Sequence, residues 1–376
     1  INIKGVNMSG SVFGKNFTVS TWGESHGKAV GVCVDGCPAG IKVDEEYIQS
    51  QLDRRKPGTS EFVTKRNEKD KVHILSGVFE GVSTGSPILM MINNEDQHSK
   101  DYNNIKDIYR PGHADFSFDS KYGVGIRDYR GGGRSSGRET IGRVAAGALA
   151  GLILDQLGVS VNAYTKQIGN IEIDYDKFDL DFAKNSALCM PDKDASEKAA
   201  DYVRELMVEK DSSGGTIECV VDGLKAGFGE PVFDKLDANL AKAIFSIGAV
   251  KGFEIGDGFK AAESRGSENN DEFISENGNV TKSTNHSGGI LGGISDGSQI
   301  VFRAAFKPTP SIAREQKTVD NSGNETEIEI HGRHDPLIVP RAVVVAESMA
   351  KLVIVDEIMD GMRSRVSFIK EFYERL

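Results

Sequence analysis

Three histidines stand in glycine- or proline-bounded turns beside groups that can hold or pass a proton. Ser25 and His26 fall inside Gly23-Glu24-Ser25-His26-Gly27, and His113 inside Arg110-Pro111-Gly112-His113-Ala114-Asp115. His334 falls inside Arg333-His334-Asp335-Pro336. Imidazole titrates near neutrality, so these positions suit general acid/base chemistry. The arginine beside His113 should depress its pKa and keep the ring poised near neutrality. Gly23–Gly27 also fits G-x-S-x-G, the hydrolase nucleophile elbow, which needs a strand, a sharp turn and then a helix. Here Ala29-Val30-Gly31-Val32-Cys33-Val34 follows and reads as a strand. The elbow context fails. What remains is a Ser–His pair placed for proton transfer, or equally a turn serine beside a surface histidine.

A second constellation gathers positive charge. Gly131-Gly132-Gly133 is followed by Arg134, Ser135, Ser136 and Arg138. Gly132 to Glu139 comes close to the P-loop, G-x4-G-K-[ST], but Arg138 replaces the lysine and Glu139 the magnesium-binding hydroxyl. A carboxylate there argues against nucleoside triphosphate hydrolysis. The glycines still allow close backbone approach, and Ser136-Gly137-Arg138-Glu139 reads as a capping box that opens a helix. Free N–H groups, the helix dipole and two guanidiniums would together hold an anion. That reading is favoured over a solvated charged face, because glycines and a capped terminus coincide. Lys307-Pro308-Thr309-Pro310-Ser311 adds a rigid cationic turn. The chain is acidic overall, with 45 Lys+Arg against 56 Asp+Glu and a formal charge of −11. A basic pocket in an acidic protein fits a small polyanion better than nucleic acid or a membrane surface.

The elements that must position these groups can be read from pattern. Val30–Val34 reads as a strand, and Asp44 caps a helix through Leu52 that stops at Pro57-Gly58. Val72–Val82 and Ser86–Ile92 look like paired strands around Ser83-Thr84-Gly85. The capping box at Ser136 should start a small-residue helix to Leu157. A helix over Ser196–Glu209, a strand over Gly215–Asp222 and a helix from Asp237 follow. Ser264–Thr284 is polar, rich in Gly and Asn, and expected as a mobile loop. Strand Gln299–Phe306, a hairpin at Asn321-Ser322-Gly323 and a long helix from Pro340 complete an α+β chain. No stretch reaches the ~18–20 apolar residues of a membrane helix. Cys33, Cys37, Cys189 and Cys219 read as free thiols in a reducing compartment, and no metal site is read. Residues 1–7 are expected to be non-native or disordered, and the length leaves one large domain or two ordinary ones open.

Together these segments, in this order, resemble the chorismate synthase family. The likeness covers Gly23 to Pro38, Asp53-Arg54-Arg55-Lys56-Pro57-Gly58-Thr59, Arg110 to Asp115 and Gly131 to Leu149. It continues through Gly229 to Asp234, Gly288 to Gly293 and Arg333 to Met349. The resemblance implies a single catalytic domain over 8–376, a layered sandwich with helices between antiparallel sheets. It implies anti-1,4-elimination of phosphate from 5-enolpyruvylshikimate 3-phosphate to give chorismate, with reduced FMN required and no net redox change. It further implies a cytoplasmic homotetramer, NADPH as reductant and a separate flavin reductase as an alternative electron source.

Carried over by motif, His26 would protonate the departing phosphate and His113 would stabilise reduced flavin. Ser25 and Asp335 would relay a proton through flavin N5. Arg134, Ser135, Ser136, Gly248, Ala249, Gly292, Lys307, Pro308, Thr309, Pro310, Ser311 and Arg333 match FMN-binding stretches. Arg55 matches an NADP position, while Glu61 stands where some members carry a second basic residue. Arg54, Arg110 and Arg138 would surround the substrate's phosphate and carboxylates. A flavin-dependent reductase and a non-catalytic anion-binding protein are the competing classes.

Overall fold

The computed structural model describes residues 10–58, 61–62, 69–95, 105–330 and 335–376. Thr59, Arg333, His334 and the N-terminal residues 1–7 lie outside the described residues.

Alternating apolar residues build a first antiparallel sheet. It comprises β1 (Val12–Phe13), β2 (Thr18–Gly23), β3 (Ala29–Asp35), β4 (Val72–Ile74) and β7 (Ile88–Asn93), in the order β1-β2-β3-β7-β4. Val30, Val32 and Val34 face Ile92, Met90 and Ile88 across the ladder, and all six are buried. A period of two puts one such row on one face of each strand, and that face packs on helices. The pairing of β4 with β7 was expected, but its turn was not. Between them β5 (Val78–Phe79) and β6 (Val82–Ser83) form their own hairpin, turning at Glu80 and Gly81, both left-handed. A two-residue turn with both φ positive matches the twist of the paired strands.

The second antiparallel sheet runs β11-β16-β10-β8-β9. Its strands are β8 (Ser160–Ile168), β9 (Ile171–Glu172), β10 (Gly215–Asp222), β11 (Val250–Ile255) and β16 (Ile300–Phe306). Ile217, Cys219 and Val221 oppose Ala304, Phe302 and Ile300, again all buried.

Helices fill the space between the sheets. Helix α1 (Glu45–Arg55) is capped by Asp44, whose carboxylate accepts from Tyr47 N at 2.9 Å. Helix α3 (Thr140–Gln156) packs on β2, β3 and β7, and α8 (Val339–Gly361) packs on β8 and β10. The two helices meet closely: a Cβ on Gly147 would lie 2.3 Å from Ser348 Cβ. Small residues on α3 therefore reflect a tight helix–helix seam, and one buried apolar cluster runs through both sheets and the helices. The sandwich with helices between antiparallel sheets is thus observed.

Around this core lie α2 (Asp115–Tyr122), α4 (Leu180–Asn185), α5 (Lys193–Glu209), α6 (Leu236–Phe245), α7 (Gly266–Asn269) and α9 (Val366–Glu374). Three further hairpins complete it: β12 (Phe273–Glu276) with β13 (Asn279–Lys282), β14 (Ile290–Leu291) with β15 (Ile294–Ser295), and β17 (Glu315–Val319) with β18 (Glu325–Glu329). The segment expected as a mobile loop, Ser264–Thr284, contains α7 and the β12–β13 hairpin instead. Lys282 explains the order, for its buried ammonium bonds Asp271, Asn285, Ser287 and Asp296. Among the described residues no helix is long and apolar enough to cross a membrane.

Candidate functional site

Gly131, Gly132 and Gly133 all have left-handed φ, at 60°, 83° and 52°. Three such residues in a row are accessible at low cost only to glycine. The resulting loop separates two histidines. A Cβ on Gly131 would lie 2.2 Å from Cε1 and 2.5 Å from Nδ1 of His26, and 2.9 Å from Ser25 Oγ. A Cβ on Gly132 would lie 3.2 Å from Cε1 and 3.4 Å from Nε2 of His113. His26 and His113, 87 positions apart in the numbering, are therefore brought to one loop.

His26 sits in the connection between antiparallel β2 and β3, which confirms that no nucleophile elbow forms. Ser25 and His26 are buried. Ser25 Oγ donates to Arg130 O at 3.2 Å and lies 3.2 Å from His26 Nδ1. With its own proton on Arg130, the hydroxyl can accept from Nδ1–H. Asn94 clamps this turn. Its Nδ2 donates to Glu24 O at 3.0 Å and Gly27 O at 2.8 Å.

His113 precedes α2, and Asp115 opens that helix. Asp115 Oδ2 accepts from Arg110 Nε at 2.7 Å, and Oδ1 accepts from Arg110 Nη2 at 2.8 Å. Burial first, then the charges of Arg110 and Arg127, lower the His113 pKa from 6.5 against the upward pull of Asp115. The sequence reading put the arginine first; burial is the larger cause. Burial would raise the Asp115 pKa, but hydrogen bonds from Arg110 and His113 hold it well below the ordinary range. Asp115 and Arg127 went unassigned in the sequence reading, although Asp115 stands two residues after His113.

The Lys307–Ser311 turn reaches the same place. Lys307 Nζ donates to Gly112 O, a Cβ on Gly112 would lie 3.2 Å from Pro310 Cβ, and Lys307 N donates to Ala249 O at 2.9 Å. Gly248 and Ala249 join the cluster through that bond, Ala249 with a left-handed φ of 74°. The buried Thr309 hydroxyl has no partner within the described residues, and Ser311 is buried. Burial, then the Lys251 charge, lowers the Lys307 pKa.

The arginines behave differently from expectation. Arg134 donates to Thr21 Oγ1 at 2.7 Å and to the carbonyls of Thr21 and Gly23, so it braces β2. Arg138 bonds Asn94 Oδ1, and Asp70 Oδ1 at 2.9 Å. Arg55, 2% exposed, donates to Asp70 Oδ2 at 2.7 Å. Burial lowers its pKa to about 10. Ser136 caps only a short 3-10 turn over Gly137–Glu139, and Glu139 pairs with Arg143 instead of closing a capping box. Both guanidiniums are thus engaged by protein groups, and α3 begins only at Thr140, after the short turn that Ser136 caps. Ser135 Oγ likewise donates inward, to Gly132 O at 2.7 Å.

Two of the expected site residues lie in other parts of the fold. Arg54 closes bidentately on buried Glu347, at 2.7 and 2.9 Å, and is not joined to the histidine cluster. Gly292 turns the β14–β15 hairpin, whose next residue packs on Lys235. Asp335 is buried and pairs with Arg341, whose Nε donates to Arg55 O at 3.0 Å. A continuous polar network thus links the Ser25–His26 turn, through Asn94, Arg138, Asp70, Arg55 and Arg341, to Asp335.

A family model described as chorismate synthase matches residues 17–359. A relative named chorismate synthase from Lachnoclostridium phytofermentans is 62% identical over 369 residues, covering 98% of this chain and 100% of the relative. A second, from Methanosarcina acetivorans, is 55% identical over 355 residues, covering 94% and 97% respectively. A solved crystal structure of a chorismate synthase superposes with a TM-score of 0.75 at 30% identity, covering 96% of this chain and 98% of that one. The matched region contains both histidine turns and the glycine loop between them, and the chain belongs to the chorismate synthase family.

Proposed function

We propose that this chain eliminates phosphate from 5-enolpyruvylshikimate 3-phosphate in an anti-1,4 sense, giving chorismate for aromatic amino-acid synthesis. The observation that carries this reading is the convergence of His26 and His113 on Gly131–Gly133, inside a chain matched throughout to chorismate synthases. The C–O bond to phosphate breaks, a ring C–H gives up its proton, and a new double bond forms. His26, whose Nδ1 lies beside Ser25 Oγ, is the proposed proton donor to the leaving phosphate. Arg110 lies on the His113 side through Asp115 and adds positive potential there. Asp335, tied to the His26 turn by the buried network, is the proposed distal proton acceptor.

The residues fit a flavin mononucleotide beside His113. The Lys307 ammonium, the unpartnered Thr309 hydroxyl, Pro308, Pro310, Ser311, Gly248 and Ala249 would hold it, with Ser135 and Ser136 on the glycine-loop side. Reduced flavin, when bound, supplies an electron-rich ring without net change of oxidation state. NADP at Arg55 does not fit, because that guanidinium is buried on Asp70. A separate flavin reductase is the proposed electron source. A homotetrameric assembly of one catalytic unit is proposed too, supported by exposed Val366, Ile369, Phe372 and Tyr373 on α9. The proposed location is the cytoplasm.

Anaerobic phosphate release from the enolpyruvyl substrate, with and without chemically reduced FMN, tests this reading. Release only with reduced FMN is expected. A product of changed oxidation state would select the reductase class, and no release in either condition would select the anion-binding class.

A further inference from the structure

We propose that Asp115 is a positioning residue that fixes which nitrogen of His113 carries the proton. Nδ1–H is donated to the Asp115 carboxylate, and Nε2 is left as the basic nitrogen beside the glycine loop. The inference rests on the reading above only in placing His113 at the reacting site.

The geometry around Nδ1 contains a conflict with one resolution. His113 Nδ1 lies 2.9 Å from Asp115 Oδ1 and 3.0 Å from Arg110 Nη2. A bare Nδ1 would accept from Arg110 but would then set its lone pair against a carboxylate oxygen at hydrogen-bond distance. A protonated Nδ1 donates to Asp115, and Arg110 Nη2 keeps its own acceptor, the same carboxylate, at 2.8 Å. The carboxylate must be ionised for this. It is buried and also receives Arg110 Nε at 2.7 Å, its backbone N at 3.2 Å and Arg127 Nη1 at 3.4 Å. A charged acceptor fixed by two guanidiniums is a stronger hold on one imidazole tautomer than a lone neutral partner.

Among the described residues, the charged groups that bond the ring or its immediate partners can be named. Arg110 and Asp115 face Nδ1. Arg127, from the segment after α2, faces Asp115 and pairs with Asp119 at 3.1 Å. Lys307 sits on Gly112 O, one residue before His113. None of these hydrogen bonds reaches Nε2, which lies 3.4 Å from the position a Gly132 Cβ would take. A ligand group that donates meets a neutral ring there, and one that accepts requires His113 to take up a proton at Nε2.

Nitrogen-15-labelled histidine in the protein without flavin or substrate tests this by NMR. The pH should be about 8, well above the ordinary histidine pKa. His113 is assigned by loss of its signals in His113→Gln or His113→Asn. The expected spectrum has a pyrrole-type Nδ1, a pyridine-type Nε2, and an Nδ1 proton far downfield and slow to exchange. An Nε2–H tautomer, or averaging of the two, overturns the proposal. Asp115→Asn, if folded by circular dichroism, should populate Nε2–H, and an unchanged tautomer would remove Asp115 from the role. If that variant does not fold, the wild-type downfield proton decides alone, its absence counting against the carboxylate bond. Because no flavin is present, a wrong tautomer leaves the reading of the reaction standing. Failure of phosphate release in wild type would overturn that reading without touching the tautomer.

Discussion

Gly131 has no room for a side chain, because any Cβ would enter the His26 ring and its own φ is 60°. Gly131→Ala should cost about 1–3 kcal/mol of stability through the left-handed backbone. Displacing His26 should lower phosphate release further, by roughly 10²-fold, as misplaced catalytic groups do. Melting and turnover of the same preparation separate the two effects. Asp70 poses a charge question at the same scale. Its side chain is fully buried between Arg55 and Arg138. Burial would raise its pKa, yet the two guanidiniums bring it below 3.8. Asp70→Asn leaves buried cations unpaired and should cost about 3–5 kcal/mol. The sign with pH follows: a depressed carboxylate stabilises fully above its unfolded pKa of about 3.9, and the contribution is lost as pH falls through the folded value. Asp115 acts the same way. Urea midpoints should decline modestly as pH falls through about 6.5, because the His113 pKa is lowered, and should drop again below about pH 4, that second drop being less steep in Asp70→Asn. An equally steep drop below about pH 4 in Asp70→Asn would contradict this.

Helix termini and seams set the next scale. Asp192 caps α5 through Asp194 N at 2.9 Å and Ala195 N at 3.2 Å, and it also accepts from Asp174 N at 3.0 Å. Asp44 caps α1 with a single bond and is exposed. Asp192→Ala should therefore cost about 1–2 kcal/mol and Asp44→Ala about 1 or less in urea melts. The reverse order would mean the caps do not govern these ends. Gly147→Ala should cost about 1–3 kcal/mol, because α3 and α8 must part to admit the methyl. At this scale the sequence was largely readable. Strand β10 and the hairpin at Asn321-Ser322-Gly323 appear as patterned, because alternation and turn residues act locally. The Ser136 capping box did not form, because Glu139 found Arg143 one turn later. Ser264–Thr284 misled because polarity hid one buried lysine with four acceptors, partners supplied by residues up to Asp296.

For the whole molecule, the site was legible in its residue types but not in its distribution of charge. His26, His113 and the glycine loop could be picked out from their turns, and the fold brings them together. That Arg54, Arg55 and Arg138 are engaged by Glu347 and Asp70 could not be read, because those partners come from other layers of the sandwich. The central claim is that the two histidines, joined by one loop, act on one reaction. The most direct measurement is phosphate release with reduced FMN by His26→Ala, His113→Ala and the double variant, each alongside its melting curve. Each single variant should lose roughly 10²–10⁴-fold in rate while remaining folded. The double loss should fall short of the product of the two, as for groups that act as a unit. Wild-type rates in either single variant, or losses explained by unfolding alone, would contradict the account.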